Sequence, residues 1–151
     1  MRLIGYVRAS IDDPVDAFLS PEAQTEAIDR AARAAGHDVV QTISDVGVAG
    51  AENIETRTGL AAVFARARDA GIHGVIVARL DRLARDIIQQ EQIIAELRDA
   101  RAHVWSAASD DADALSETPR DAERALIRRV LAGVPEHQGA MRAPVSDTGK
   151  G

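Results

Sequence analysis

The chain has 151 residues, of which 46% are hydrophobic and none is cysteine; it carries 18 Lys and Arg against 24 Asp and Glu, a formal net charge of −6. This length and composition fit one domain with a single core, and the lack of cysteine excludes disulfides and thiolate metal sites. The negative charge excludes a protein that coats nucleic acid by general phosphate neutralisation, so any DNA contact must come from a local basic patch.

The first predicted elements are a strand and a helix. Segment 2–8, RLIGYVR, is a short apolar run that predicts a buried strand ending in the polar Ala9-Ser10. Residues 11–20 have a loop composition. Ser20 can cap a helix that Pro21 opens, and this helix should reach Ala35 and stop at Gly36.

A second strand–helix pair follows. Segment 38–43 predicts a strand, and residues 45–58, with three turn formers and no clean period, predict a long surface loop of the kind that often carries function. The apolar spacing in 58–70 predicts a helix that Gly71 closes. The unbroken apolar run 74–78, GVIVA, predicts a strand covered on both faces.

The remaining elements complete an alternating order. Leu83, Ile87, Ile94 and Leu97 mark one face of a helix reaching about Ala100, and 103–107 predicts a fourth strand. The alternation predicts an α/β fold with a mainly parallel sheet flanked by helices. Ligand chemistry in such folds lies on loops beyond the carboxyl ends of the strands, where Ser10 and Asp81 both fall.

The C-terminal part is predicted to contain one more helix. After the acidic loop SDDADALSETP, an amphipathic helix should run from Arg120 to about Ala132 with an apolar stripe, and Gly133 and Pro135 should end it. The stripe consists of Ala122, Leu126 and Val130. The small, polar tail is expected to be disordered. The predicted units are therefore 1–118, 119–134 (helix) and 135–151 (tail).

Two predicted loops carry the residues suited to chemistry. Arg8 and Ser10 stand at one strand end, and LDRLARD, residues 80–86, follows another. Arg82 and Arg85 are three apart, which would place them on the same side of a helical turn. Fixed guanidiniums can stabilise the charge that develops when a hydroxyl attacks a phosphodiester.

Five collinear motifs resemble the serine site-specific recombinases of the resolvase and invertase family. These are YVRAS (6–10), SPEAQ (20–24), DVGVAG (45–50), RTGL (57–60) and RLDRLARD (79–86). The similarity extends over residues 2 to about 132. The long spacing from Ser10 to Gln24 resembles the large serine integrases and transposon recombinases more than the small resolvases.

The resemblance implies roles for matching residues. Ser10 would be the nucleophile that forms a 5′-phosphoseryl bond with DNA. The implied phosphate-binding residues are Arg8, Arg82 and Arg85, and the supporting active-site residues are Gln24, Asp45 and Arg57. Asp81 would act as a general acid or orient the arginines. The family reaction, DNA strand exchange in a homodimer or tetramer, implies no cofactor, no metal and no nucleoside triphosphate.

Three departures from the family pattern favour an alternative. Pro14 and Ala49 replace polar residues, and Pro135 interrupts a helix that the family continues. With no recognisable DNA-binding domain, the chain would be a fragment, a stand-alone protein or a decayed gene. The alternative is a catalytically impaired interaction or regulatory module that keeps the recombinase fold. A nucleotide- or flavin-binding domain would need a Gly-rich loop after the first strand, which YVRASIDD lacks.

The lack of a long apolar run and of metal-ligand spacing bears on location and on metal binding. Nowhere do about 18 apolar residues follow one another, which predicts a cytoplasmic protein with no membrane partner. The four histidines are His37, His73, His103 and His137, and they lack ligand spacing.

Overall fold

The computed structural model of the chain describes residues 1–10, 19–47 and 54–133. The predictions made for Pro14, Ala49, Pro135 and the tail lie outside these residues.

Four strands and five helices are found in the described residues. The strands are β1 (Arg2–Ala9), β2 (Asp38–Val46), β3 (Gly74–Val77) and β4 (His103–Ser106). The helices are α1 (Pro21–Ala34), α2 (Thr58–Ala67), α3 (Ile87–Asp99), α4 (Ala112–Leu115) and α5 (Ala122–Ala132). Short 3₁₀ turns cover Ile54–Thr56, Leu80–Arg82 and Ser109–Asp111.

The strands form one parallel sheet in the order β2-β1-β3-β4. Strand β1 is central, and its side chains alternate between two apolar layers. Ile4 and Tyr6 pack with residues of α2 and α3, whereas Leu3 and Val7 pack with Ile28 of α1. The predicted α/β fold, with a parallel sheet covered on both faces, is confirmed.

Local signals set the ends of α1 as predicted. The Ser20 hydroxyl accepts a hydrogen bond from the Ala23 N–H at 3.1 Å, which satisfies one of the donors exposed at a helix start. Gly36 follows the helix with a φ of 76°, in the left-handed region that glycine adopts without steric cost.

Three boundaries differ from the prediction by three residues or more. Strand β2 extends to Val46, so Asp45 is a strand residue and not part of the surface loop. Helix α2 ends at Ala67, three residues before the predicted Ala70. The predicted helix that began at Leu83 begins at Ile87 instead, because Asp86 caps it by accepting from the Gln89 N–H at 3.0 Å.

The predicted C-terminal helix is found as α5, packed against α3. Its apolar stripe faces outward, with Leu126 56% and Val130 55% exposed. The opposite side carries Arg124 and Arg128, which pair with the buried Glu91 of α3. Within the described residues, no helix is long and apolar enough to cross a membrane.

A single carboxylate holds the turn that leads into α5, and this generates a pH prediction. Asp113 accepts hydrogen bonds from the backbone N–H groups of Arg120 at 3.0 Å and Asp121 at 3.3 Å. The bond from Arg120 is the main reason why the pKa of Asp113 lies below its usual 3.8. The charged carboxylate therefore stabilises the folded state above the unfolded pKa, and this contribution is lost as the pH falls through the folded pKa.

In an NMR pH titration, we expect the Arg120 amide resonance to shift with a midpoint below 3.8. Asp113→Asn is the control, and this transition should be missing from it. A midpoint at or above 3.8 in the unmodified chain would contradict the assignment.

Candidate active site at the carboxyl edge of the sheet

The segment after β3, residues 79–86, is called here the arginine segment, and its backbone is held by side chains from other elements. Its first anchor is Asp111, whose carboxylate accepts from the Leu80 N–H at 2.8 Å and from the Ser106 hydroxyl at 2.6 Å. Asp111 thereby fixes the start of the arginine segment relative to the end of β4.

Two buried arginines hold the middle of the segment through its carbonyl oxygens. Arg8, at the end of β1, donates to the Asp81 carbonyl at 2.9 Å and to the Arg82 carbonyl at 3.1 Å. Arg57, which precedes α2, donates to the Arg82 carbonyl at 3.2 Å and also to the Leu83 carbonyl. These bonds offset part of the cost of burying two guanidiniums in the core, although the buried Nε of Arg57 has no hydrogen-bond partner among the described residues.

Arg82 of the arginine segment in turn binds the backbone of β1. Its Nη1 donates to the Arg8 carbonyl at 3.2 Å, and its Nε donates to the Asp81 carboxylate at 2.9 Å. Asp81 is half-buried and also pairs with Arg79 at 3.5 Å. The Arg82 guanidinium thus lies against the backbone two residues before Ser10.

Gln24 of α1 fixes the same stretch of β1. Its Nε2 donates to the carbonyls of Arg8 at 2.9 Å and Leu19 at 2.8 Å, while its Oε1 accepts from the Arg8 N–H at 3.3 Å. Gln24 is fully buried. A side chain that satisfies both backbone groups of Arg8 fixes the strand end from which Ser10 continues.

Asp45 and Tyr6 complete the network. The Tyr6 hydroxyl donates to the Asp45 carboxylate at 2.7 Å and accepts from Arg57 Nη2 at 2.6 Å. Asp45 also accepts from the N–H groups of Gly59 at 2.7 Å and Leu60 at 2.9 Å, at the start of α2. Burial raises the pKa of the Tyr6 phenol well above its usual 10, although the charge of Arg57 opposes the shift.

Ser10 and Arg85 lie at the margin of this network. Ser10 follows β1 directly and is half-buried, and the carbonyl of the preceding Ala9 accepts from the Gly47 N–H at 2.7 Å. Arg85 is exposed, whereas Arg82 is buried. The prediction that these two arginines share one side of a helical turn is wrong, because the 3₁₀ turn ends at Arg82 and α3 begins only at Ile87.

The described residues of the site bring buried charges of both signs together. Three buried guanidiniums, those of Arg8, Arg57 and Arg82, face one buried carboxylate, that of Asp45, with the half-exposed Asp81 beside them. Burying cations is costly unless anions or hydrogen bonds compensate them. The clustered guanidiniums give this edge of the sheet the local basic character suited to an anion. No group of side chains suited to a metal ion occurs in the described ranges.

Tyr6 and Asp111 belong to the site, although the sequence predicts no site role for either residue. Tyr6 was placed in the core, where it is, but its hydroxyl also bridges Asp45 and Arg57. The period of two along β1 could have indicated this, because residues 6 and 8 must share one face of the strand. No comparable signal marks Asp111, since one carboxylate in an acidic loop is ordinarily solvated.

The family described as Resolvase, N terminal domain, matches residues 3–148. The catalytic domain of TP901-1 integrase is similar, with a TM-score of 0.64 and 19% identity over 95% of this chain and 100% of that one. A resolvase family site-specific recombinase from Streptococcus pneumoniae is similar with a TM-score of 0.62 and 17% identity, over 93% of this chain and 91% of that one.

A third solved structure has the same fold. The C-terminal catalytic domain of ISC1926 TnpA, an IS607-like serine recombinase, gives a TM-score of 0.60 and 23% identity over 87% of this chain and 80% of that one. Among curated proteins no match is found. At these identities the structures establish the fold alone, which is that of serine recombinase catalytic domains. The family match covers nearly the entire chain, which therefore belongs to the resolvase N-terminal domain family.

The contact between Asp45 and α2 generates a stability prediction. A Cβ added at Gly59 would lie 2.7 Å from the Asp45 carboxylate. In an open helix, Gly→Ala usually stabilises by about 1 kcal/mol. We expect Gly59→Ala to destabilise by about 1–3 kcal/mol instead, because Asp45 must move away from the two N–H groups that it accepts from.

Urea unfolding of Gly59→Ala and Gly133→Ala measures the difference. Gly133 ends α5, and a Cβ there would meet nothing closer than 3.6 Å, so Gly133→Ala should be neutral or slightly stabilising. Equal stability of the two variants would show that Gly59 is not required by Asp45.

Proposed function

We propose that the chain is a DNA strand-exchange enzyme in which Ser10 attacks a phosphodiester. The Ser10 oxygen bonds to phosphorus and loses its proton, and the bond from phosphorus to the 3′-oxygen breaks. The leaving 3′-oxygen takes up a proton. The 5′-phosphoseryl link conserves the energy of the broken bond, so the reverse attack by a 3′-hydroxyl rejoins a strand without a nucleoside triphosphate.

The observation that carries the proposal is the cluster of three buried guanidinium groups, those of Arg8, Arg57 and Arg82, next to the strand end that bears Ser10. A phosphate would offset this charge, and the developing negative charge of the transition state would offset it further. Arg82 is supported in this role by its contact with the Arg8 backbone and its ion pair with Asp81. We assign Arg8, Arg82 and Arg85 to the scissile phosphate.

The supporting residues act through these groups. Gln24 fixes the backbone of Arg8, while Arg57 and Asp45 link the arginine segment to α2. For Asp81, the 2.9 Å bond from Arg82 Nε favours orientation of that arginine over proton donation to the leaving oxygen.

A second copy of the chain is the proposed partner in the active assembly. Leu126 and Val130 expose more than half of their surface on the side of α5 that points away from α3. Pairing of two such helices would bury both side chains. The same surface serves the second candidate function, a regulatory module that pairs with active recombinase subunits without cleaving DNA.

Covalent capture separates the two functions. The full chain is fused to a DNA-binding domain of known site and incubated with duplexes that carry two inverted copies of that site around a randomised centre. We expect a protein–DNA adduct on denaturing gels that requires Ser10, because the phosphoseryl bond survives denaturation. Ser10→Ala should reduce the adduct by at least about a thousandfold.

Ser44→Ala is the matched control, since Ser44 is an exposed residue of β2, and it should form the adduct at the unmodified rate. An adduct that persists in Ser10→Ala would exclude Ser10 as the nucleophile. The lack of any adduct from a folded, dimeric protein would instead favour the regulatory module.

The dimer prediction is tested by sedimentation. The unmodified chain should sediment with twice its 16.1 kDa mass at micromolar concentration, and Leu126→Asp with Val130→Asp should reduce this to the monomer. Val40→Asp, at an exposed apolar residue of β2, should leave the dimer intact. A dimer that survives the α5 double substitution would place the interface elsewhere.

A further inference from the structure

A cluster of polar side chains lies buried between α3 and α5. Arg124 of α5 donates to Glu91 Oε1 at 3.3 Å and to Gln90 Oε1 at 2.8 Å. Arg128 donates to Glu91 Oε1 at 2.5 Å and Oε2 at 3.1 Å. Glu91 is only 2% exposed, and Gln90 and Arg124 are buried as well. This contact fixes α5 on α3 by charge and hydrogen bonds.

Gln90 also contacts the arginine segment. Its Nε2 donates to the Ala84 carbonyl at 2.6 Å, while its Oε1 accepts from Arg124. A primary amide is suited to this position, because the carbonyl needs a donor and the guanidinium needs an acceptor. The side chain of Gln90 therefore connects α5 directly to the peptide group that lies between Arg82 and Arg85.

We propose that Gln90 is a positioning residue for the arginine segment, and that docking of α5 acts on the segment through it. The effect on catalysis rests on the function proposed above, whereas the hydrogen-bonded connection from α5 through Gln90 to the arginine segment does not. The Ala84 carbonyl is the last of the held peptide groups before Arg85, so the bond from Gln90 limits where that arginine can lie.

The link depends on α5 because Arg124 orients the Gln90 amide. When Arg124 is in place, the oxygen of the amide faces α5 and its nitrogen faces the Ala84 carbonyl. Arg124 is itself kept in place by Glu91, which Arg128 also binds. Loss of α5 would remove the donor to Gln90 Oε1 and leave the amide without its fixed orientation.

Gln90→Glu removes one of the two hydrogen bonds of the Gln90 side chain and keeps the other. The carboxylate can still accept from Arg124, but it cannot donate to the Ala84 carbonyl. Amide hydrogen exchange measures the result at Arg82 and Leu83, whose N–H groups close the 3₁₀ turn of the arginine segment. We expect both amides to exchange about tenfold faster in Gln90→Glu, with the amides of β1 and β3 unchanged.

Gln92→Glu is the matched control, because the same chemical change two residues along α3 does not involve the Ala84 carbonyl. It should leave the exchange rates of Arg82 and Leu83 unchanged. Arg124→Leu removes the donor from α5, and it should also accelerate exchange at these two amides. Exchange needs no DNA, so its outcome stands whether or not strand cleavage is detected.

Cleavage by the fusion protein gives the second readout. The fused domain sets DNA affinity, so Gln90→Glu should lower the rate of adduct formation at saturating DNA by at least about tenfold without changing the concentration needed for half-saturation.

Unchanged exchange at Arg82 and Leu83 in Gln90→Glu would overturn the positioning role, and uniform acceleration over the whole sheet would do the same by showing a general loss of stability. If Arg124→Leu changes only the amides of α5, the coupling is overturned.

Discussion

The structure of the candidate site depends on side chains that form hydrogen bonds with backbone groups of the arginine segment. Backbone groups of five consecutive residues, 80–84, are bound by four side chains. Three of these side chains, those of Arg8, Arg57 and Asp111, come from distant parts of the chain. The held groups are the Leu80 N–H (by Asp111), the carbonyls of Asp81 (by Arg8), Arg82 (by Arg8 and Arg57) and Leu83 (by Arg57), and the Ala84 carbonyl (by Gln90). Because side chains already donate to these carbonyls, the carbonyls need no helix N–H as a partner. The segment therefore keeps an irregular course between β3 and α3.

Arginine suits this task better than lysine. A planar guanidinium presents five donors in a fixed arrangement, so Arg8 can bind two successive carbonyls and Arg57 can bind two carbonyls and the Tyr6 hydroxyl. The same groups bring positive charge into the core, where water cannot screen it. The backbone contacts that fix the segment and the positive charges of the site thus come from the same side chains.

Sequence patterns were sufficient for the four strands and the four longer helices because each carries its own local signal, whereas the four-residue α4 lies in the predicted acidic loop. The order of elements, the parallel sheet and the capped start of α1 could all be predicted from local composition. The site was only partly predictable. Leu83 fits the apolar period of α3, yet its backbone is bound by Arg57, 26 residues earlier in the chain. A local pattern contains no information about such a partner, and the predicted helical turn for Arg82 and Arg85 failed for this reason.

The orientation of α5 could not be predicted either, since an amphipathic pattern does not say which side meets the protein. Here the charged side meets α3 and the apolar stripe is exposed, the reverse of the usual arrangement. A buried ion pair recovers only part of the cost of removing its charges from water, so it fixes geometry more effectively than it adds stability. A helix docked in this way is specified in position yet held less firmly than one docked by apolar burial. Its exposed apolar stripe offers a surface to a partner helix, and Arg124 on its opposite side contacts Gln90. Because both sides belong to one helix, a displacement of α5 by a partner would also move Arg124.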